Sequence, residues 1–496
     1  MNVISKPDPD TEIERLEASA VNSAKVRQPL YAARKKIFPK RASGAFRRFK
    51  WIVMLITLGI YYLTPWIRWD RGPFAPDQAV LIDMANRRFY FFFIEIWPQE
   101  FYYVAGLLIL AALILFLMNA VAGRVWCGYL CPQTVWTDLF MAVERLIEGD
   151  RRERIAADNA PWTIDKFAHK TLKHTLWLLI AWWTGGAWVL YFDDAPTLVR
   201  ELATFQASAT AYTSIAVLTF TTYVLAGHMR EQVCTYMCPW PRIQAALTDE
   251  YALNVTYLLD RGEPRGSLKK VAQLRAEGKP AGDCIDCNQC VNVCPTGVDI
   301  RKGLQLDCIQ CGLCIDACDT VMDKIHRPRG LIRYESEANL EAQARGEAPV
   351  RRIVRMRTIL YAALICGIGG LMLATLVNRS SEGLAAIHDR NPVFVRLSDG
   401  SLRNAYTLRL INKKLYERSF SISVSGVPGA TLNVVGTDAG SESDVLTVGP
   451  DQTREVRVLV TTRDKLDAGA SLPVIFEIRD TATGLAARAS DHFIAP

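Results

Sequence analysis

Beyond residue 378 the chain has no cysteine, so whatever folds there holds no intersheet disulfide, and it has no CxxCH for covalently attached haem. Nowhere does a Ser/His/Asp set or a paired-carboxylate arrangement stand out, which removes the usual hydrolytic chemistries. No apolar segment with a small-residue cleavage site precedes the first long apolar run, so no cleavable signal peptide is expected. The net charge of +7 does not point to nucleic acid either, because the basic side chains flank apolar runs and suit anchoring to an anionic leaflet.

What the chain does have is 13 cysteines, twelve of them in spaced groups with only Cys366 alone. Cys284, Cys287, Cys290 and Cys294 form one C-x2-C-x2-C-x3-C run, and Cys308, Cys311, Cys314 and Cys318 form a second. This is the bacterial ferredoxin spacing, in which the fourth cysteine of each run serves the other [4Fe-4S] cluster. The expected ligand sets are therefore crossed: Cys284, Cys287, Cys290 and Cys318 for one cluster, Cys308, Cys311, Cys314 and Cys294 for the other. Zinc sites space their pairs differently. Asp319 stands where a ferredoxin often has proline, which alters a turn but not the ligand count.

Hydrophobic residues make up 50% of the chain and there are 12 tryptophans, a composition suited to a membrane protein with interfacial aromatics. Five uncharged runs, 51–67, 101–122, 175–192, 207–227 and 359–377, approach the ~20 residues a helix needs to span a bilayer. Lysine and arginine crowd residues 1–50, 123–174 and 345–357, whereas 193–206 has only Arg200. The positive-inside rule then puts the N-terminus and the cysteine-rich domain in the cytoplasm and the C-terminus in the periplasm. The acidic then basic arm up to residue 50 is expected to stay disordered until it meets a bilayer. Alternating runs such as 406–411, 420–424, 455–460 and 472–478 predict a β-sandwich of immunoglobulin type. The fold expected is a multidomain membrane protein: an arm (1–50), four helices with both membrane-edge cysteine pairs (51–250), a ferredoxin-like domain (251–356), a fifth helix (357–378) and an immunoglobulin-like domain (379–496).

Those membrane-edge pairs form an internal repeat. Ala122-Gly123 leads to Cys127-x3-Cys131-Pro132, and Ala226-Gly227 leads to Cys234-x3-Cys238-Pro239. Proline favours the first helical position, so Cys131 and Cys238 are expected to cap amphipathic helices over 134–148 and 242–259, where the dipole lowers a thiol pKa. Soft thiolates select Cu(I), but a third cluster, zinc or a redox dithiol also fits four such cysteines. Met229 and Met237 are weaker candidates as added thioether ligands. Glu95 and Glu100 flank Trp97-Pro98 where they could take protons from a quinol, His174 and His228 lie near the inner surface, and Cys366 is expected to pack within the last span.

The runs 94–101 (IEIWPQEF), 122–140 (AGRVWCGYLCPQTVWTDLF) and 227–242 (GHMREQVCTYMCPWPR), with 308–322 including Asp319, resemble the FixG/CcoG/RdxA family of cytochrome oxidase accessory proteins over about residues 30–496. The resemblance implies a role in assembling a cbb-type haem-copper oxidase in the bacterial inner membrane, by reducing Cu(II) to Cu(I). It implies that Cys127, Cys131, Cys234 and Cys238 handle copper and that the eight ferredoxin cysteines hold two [4Fe-4S] clusters. The partners it implies are oxidase assembly factors or copper chaperones, a quinol or cytosolic reductant as electron donor, and a second copy in a homodimer, with no nucleic acid. Proteins sharing this core also act as quinol dehydrogenases, and a non-catalytic assembly scaffold is a third reading.

Overall fold

Uncharged runs rich in leucine, alanine and methionine lose little side-chain freedom as helices and satisfy their own backbone groups, which a bilayer demands. The computed structural model describes residues 36–350, 352–435, 445–464, 466, 467 and 469–495. The acidic part of the N-terminal arm, with its expected disorder, and Arg351 lie outside the described residues. In chain order the helices that position the site are α1 (Ala45–Leu63), α2 (Tyr102–Ala122), α3 (Val125–Tyr129), α4 (Pro132–Glu148), α5 (Ile164–Val189), α6 (Ala209–Thr222), α7 (Trp240–Leu247), α8 (Leu313–Lys324) and α9 (Met356–Val377).

Four helices are long and apolar enough to cross a membrane: Ala45–Trp66, Pro98–Ala122, Ala209–Met229 and Met356–Val377. Leu108 and Ile109 on α2 and Leu371 and Leu373 on α9 are exposed, a surface that lipid accepts and water does not. The expected fifth span, 175–192, falls in the second half of α5, but Trp182, Trp183, Thr184, Gly185 and Gly186 dilute its apolar character. Against the five expected, four helices among the described residues meet the test of length and apolarity, and α5, less apolar, runs beside α6. α5 packs tightly on α6: a Cβ at Gly185 would lie 2.9 Å from the Ile215 carbonyl oxygen. Cys366 is exposed on α9, not packed as expected.

Between α1 and α2 the chain folds into an antiparallel three-stranded sheet, β1 (Val80–Asp83), β2 (Arg88–Phe91) and β3 (Ile94–Ile96). The expected helix over 242–259 is also corrected. α7 stops at Leu247, and β4 (Asn254–Tyr257) pairs antiparallel with β5 (Ile332–Glu335). Val255 and Thr256 are β-branched and fit a pleated, half-buried surface better than a helix. This pair backs the cysteine-rich domain, whose core gathers Val255, Ile300, Ile315, Leu331 and Ile332.

The C-terminal domain is a two-sheet sandwich. One sheet has the order β10 (Thr431–Val434), β12 (Gln452–Thr462), β8 (Leu402–Asn412), β6 (Glu382–His388), with β7 (Val395–Arg396) added to β8. The other runs β11 (Val445–Val448), β9 (Arg418–Ser425), β13 (Ser471–Asp480), β14 (Ala486–Ile494). All four runs read from the sequence lie in β8, β9, β12 and β13. Alternation puts Tyr406, Leu408, Leu410, Phe420, Phe476 and Phe493 in the core between the sheets. Ion pairs tie this domain to the opposite end of the helices from the cysteines: Lys413 Nζ reaches Glu100 at 2.6 Å, and Arg88 pairs with Asp451.

Candidate functional site

Helix α2 ends at Gly123, whose φ of 55° lies in the left-handed region and turns the chain toward the cysteine-rich domain. A Cβ there would meet Asn254 Oδ1 and Gln310 Oε1 at 2.7 Å. The short helix α3 then carries Cys127, and Cys131 is the N-cap of α4 with Pro132 at its first position, as the proline implied. The second copy is built differently. After α6 the chain widens into π-helical turns, Tyr223–Met229 and Val233–Met237, separated by Arg230 at φ 46°. Such turns are rare and cluster at functional sites. Cys234 sits in the second turn, and Cys238 precedes the short α7.

The two copies place Cys131, Cys234 and Cys238 near enough for each to bear electrostatically on Cys127, although among the described residues no three of them converge as around a single ion. The Cys127 thiol donates to Gln244 Oε1 at 3.2 Å. Burial, reinforced by the neighbouring thiols, pushes Cys127 and Cys234 up to about 12. For these two, burial outweighs any helix dipole, so the thiolate form needs a bound cation or a nearby positive charge. Met237 is exposed and Met229 is half-buried.

The ferredoxin-spaced cysteines surround two separate voids. Cys284, Cys287, Cys290 and Cys318 line one with Tyr257 and Met322. Cys294, Cys308, Cys311 and Cys314 line the other with Val298 and Leu313, and Cys290 borders it too. Each void is thus lined by the first three cysteines of one run and the last of the other. Among the described residues no three His, Cys, Asp or Glu side chains converge closely enough for a single ion. Sulfurs spaced around an apolar void fit a larger inorganic cube, which sets its ligands farther apart than one zinc ion does. Asp319, the departure from a plain ferredoxin, accepts from the Gly330 amide at 2.9 Å and so closes a turn.

Cys127 packs in one apolar cluster with Ile309, Cys311 and Leu313 of the loop that lines the second void. The Tyr129 hydroxyl donates to the Cys311 carbonyl oxygen, and Arg124 donates to the carbonyls of Leu306 and Cys308. Asp316 on α8, which no local pattern marks, accepts from the Phe46 and Arg47 amides at 3.2 and 2.8 Å, capping α1. Arg47 in turn forks onto buried Asp138 of α4, both contacts 2.9 Å.

Beside the quartet lies a cavity of about 460 Å³, walled by Trp177, His174, His228, Glu144, Arg230 and Glu231 among others. The His174 and His228 rings stack with centroids 5.7 Å apart, and the Tyr223 hydroxyl pairs with His174 Nδ1 at 2.9 Å. Glu144 binds Arg154 at 2.8 Å and Arg230 at 3.0 Å. Arg230 and Glu231 also line a smaller void bordered by Cys234, Thr296 and Ile309, which connects the cavity's wall to both sulfur sites. At the other end, Glu100 is held by Lys413 and Arg379 and so joins domains, whereas Glu95 pairs with Arg88 within the three-stranded sheet.

Three family models match this chain. A 4Fe-4S dicluster domain covers residues 229–337, a 4Fe-4S binding domain covers 104–148, and the IG-like fold at the C-terminal of FixG covers 372–496. The nitrogen fixation protein FixG of Rhizobium meliloti is 52% identical over 486 residues, covering 92% of each chain. The chain belongs to the FixG family. Protein RdxA of Cereibacter sphaeroides is 52% identical over 461 residues (92% of this chain, 96% of that one), and Protein RdxB of the same organism is 54% identical over 434 (87% and 90%). A solved FixG-related protein from Vibrio parahaemolyticus is 21% identical, covering 23% of this chain and 97% of that one, at a TM-score of 0.20, too low to carry an argument. This FixG-family chain is thus an iron-sulfur protein with an immunoglobulin-like C-terminal domain and, among the described residues, four helices long and apolar enough to cross a membrane.

Proposed function

We propose that this FixG-family protein is a membrane-bound electron carrier that reduces Cu(II) to Cu(I) for assembly of a cbb-type oxidase. The observation that carries this reading is the direct seating of α3, with Cys127 and Tyr129, on the loop of Cys308 and Cys311. In this reading Cys284, Cys287, Cys290 and Cys318 hold one [4Fe-4S] cluster, and Cys308, Cys311, Cys314 and Cys294 hold the other. When bound, these clusters supply one-electron carriers. Cys127, Cys131, Cys234 and Cys238 hold the copper substrate, and soft thiolates favour Cu(I) over Cu(II), which drives the one-electron reduction. Gln244 orients the Cys127 thiol, and the apolar surroundings keep water from the sulfurs. The cysteine end faces the cytoplasm and the sandwich faces the periplasm of a bacterial inner membrane, following the lysine and arginine bias.

The test is anaerobic reduction of added Cu(II) by the purified, dithionite-reduced protein after excess reductant is removed. Wild type should yield Cu(I), and the Cys127→Ser/Cys131→Ser double variant should not, with its iron retained. Equal yields from both would remove these cysteines from the reaction, and normal reduction with failed oxidase assembly would favour the scaffold. A quinol dehydrogenase is the second reading, and the specific feature in its favour is the 460 Å³ cavity, whose histidine pair and tryptophan wall suit a ring with two hydroxyls.

A further inference from the structure

Arg124 lies between the two sulfur centres and is buried, at 7% exposure. Its backbone amide donates to Gln310 Oε1 at 2.6 Å, and its guanidinium donates to the carbonyl oxygens of Leu306 and of Cys308, the latter at 3.5 Å. Those acceptors are neutral, so the hydrogen bonds fix the side chain without cancelling its charge. Both Cys308 and Cys127 feel that charge. The other cation acting on this void is Lys50, which faces Cys311 but also pairs with Asp138 at 3.9 Å. Asp138 is itself forked by Arg47. Asp307 is the acidic neighbour that bears on Arg124.

A positive charge held in a poorly screened interior favours whatever negative charge develops next to it. We propose that Arg124 is a positioning residue whose buried charge, fixed against the carbonyls of Leu306 and Cys308, raises the reduction potential of the nearer cluster. This rests on the ligand sets proposed above, but not on copper being the substrate. Arg124 bonds the carbonyl of Cys308, which lines the second void, whereas Cys284, Cys287 and Cys318 line the other and take none of these hydrogen bonds. The two centres should therefore respond unequally to its removal.

The experiment is an EPR-monitored redox titration of the full-length, detergent-solubilised protein, purified without oxygen and free of copper, as wild type, Arg124→Gln and Arg124→Lys. Removing the charge makes the added electron less stable, so the midpoint falls. In Arg124→Gln one cluster should fall by at least a tenfold change in its reduction equilibrium, about 59 mV for one electron, while the other stays unchanged. Arg124→Lys, which keeps the charge but loses the fork, should stay nearer wild type than Arg124→Gln does. Loss of the nearer cluster in Arg124→Gln but not in Arg124→Lys would equally support a requirement for charge. Unchanged midpoints in Arg124→Gln, or loss or shift of a cluster to the same extent in both variants, would overturn the proposal and leave Arg124 as a strut. A wild type lacking iron would instead defeat the ligand sets of the proposed function, so the two failures are distinguishable.

Discussion

The hydroxyl of Tyr129 donates to the carbonyl oxygen of Cys311 at 2.9 Å, joining the helix between the first cysteine pair to the loop that carries the ferredoxin cysteines. Gly128 beside it is pressed onto the same loop: a Cβ there would lie 2.8 Å from the Ile309 carbonyl oxygen and 3.1 Å from the Cys311 Cα. Alanine at 128 must push α3 away, at a cost of about 1–3 kcal/mol for overpacking. Gly128→Ala is expected to keep its iron while its Cu(II) reduction slows. Tyr129→Phe, losing one hydrogen bond worth about 1 kcal/mol, should lower the melting temperature only slightly. Stopped-flow mixing with Cu(II) and thermal unfolding measure both.

Glu144 binds the guanidinium groups of Arg154 and Arg230, and both Glu144 and Arg154 are buried. Burial opposes ionisation of this carboxyl, yet Arg230 and Arg154 hold it below its ordinary range. Glu144→Gln leaves two cations uncompensated, and such a loss typically costs about 3–5 kcal/mol. Thermal or denaturant unfolding of the variant should show the loss. A melting curve that overlays wild type would mean that water reaches the network freely.

Glu95 of β3 faces Arg88 at 3.1 Å next to Asp451 of the sandwich. Burial, then the Asp451 charge, pushes its carboxyl up to about 7. A folded-state value above the unfolded one means that this group's contribution is complete below about 4.5 and is lost as pH rises through about 7. Docking of the sandwich onto the β1–β3 sheet should therefore loosen between pH 5 and 8, read as faster proteolysis between the domains. Glu95→Gln should flatten that dependence, whereas an unchanged slope would assign it to another group.

The quinol reading makes its own forecast. If the cavity by Trp177 takes a hydroquinone, a short-chain quinol should reduce the oxidised protein, and His174→Ala with His228→Ala should weaken that reaction at least tenfold without changing the yield of Cu(I) from dithionite-reduced protein. Reduction by quinol at the wild-type rate would exclude the cavity as its site.

Much of this site was legible because its information is local. Two runs of cysteines at fixed intervals gave the crossed sets, and the repeated cysteine pairs with proline marked the second sulfur site before any contact was known. The sandwich was legible for the same reason, since alternation in β8 and β12 reports which face is buried. Contacts between distant segments were not. Arg124 resting on Leu306, Asp316 capping α1 and Lys413 meeting Glu100 join residues 182, 269 or more, and 313 positions apart, and no local pattern encodes them. A helix cap can be read from Cys131-Pro132, whereas the burial that raises the pKa of Cys127 and Cys234 arises only when distant segments meet. The lower apolarity of α5 was not legible from absence of charge, since tryptophan, glycine and threonine are uncharged without being strongly apolar.

The central claim is that electrons held by the ferredoxin cysteines leave through the Cys127 group to copper. The most direct measurement takes anaerobic protein with about eight irons per chain, reduces it, removes the reductant, and titrates Cu(II) while following the cluster EPR signals and the Cu(I) formed. The account predicts that both cluster signals vanish as Cu(I) appears in matching amount, about one per electron stored. Cluster signals that persist beside unreduced Cu(II) would contradict it.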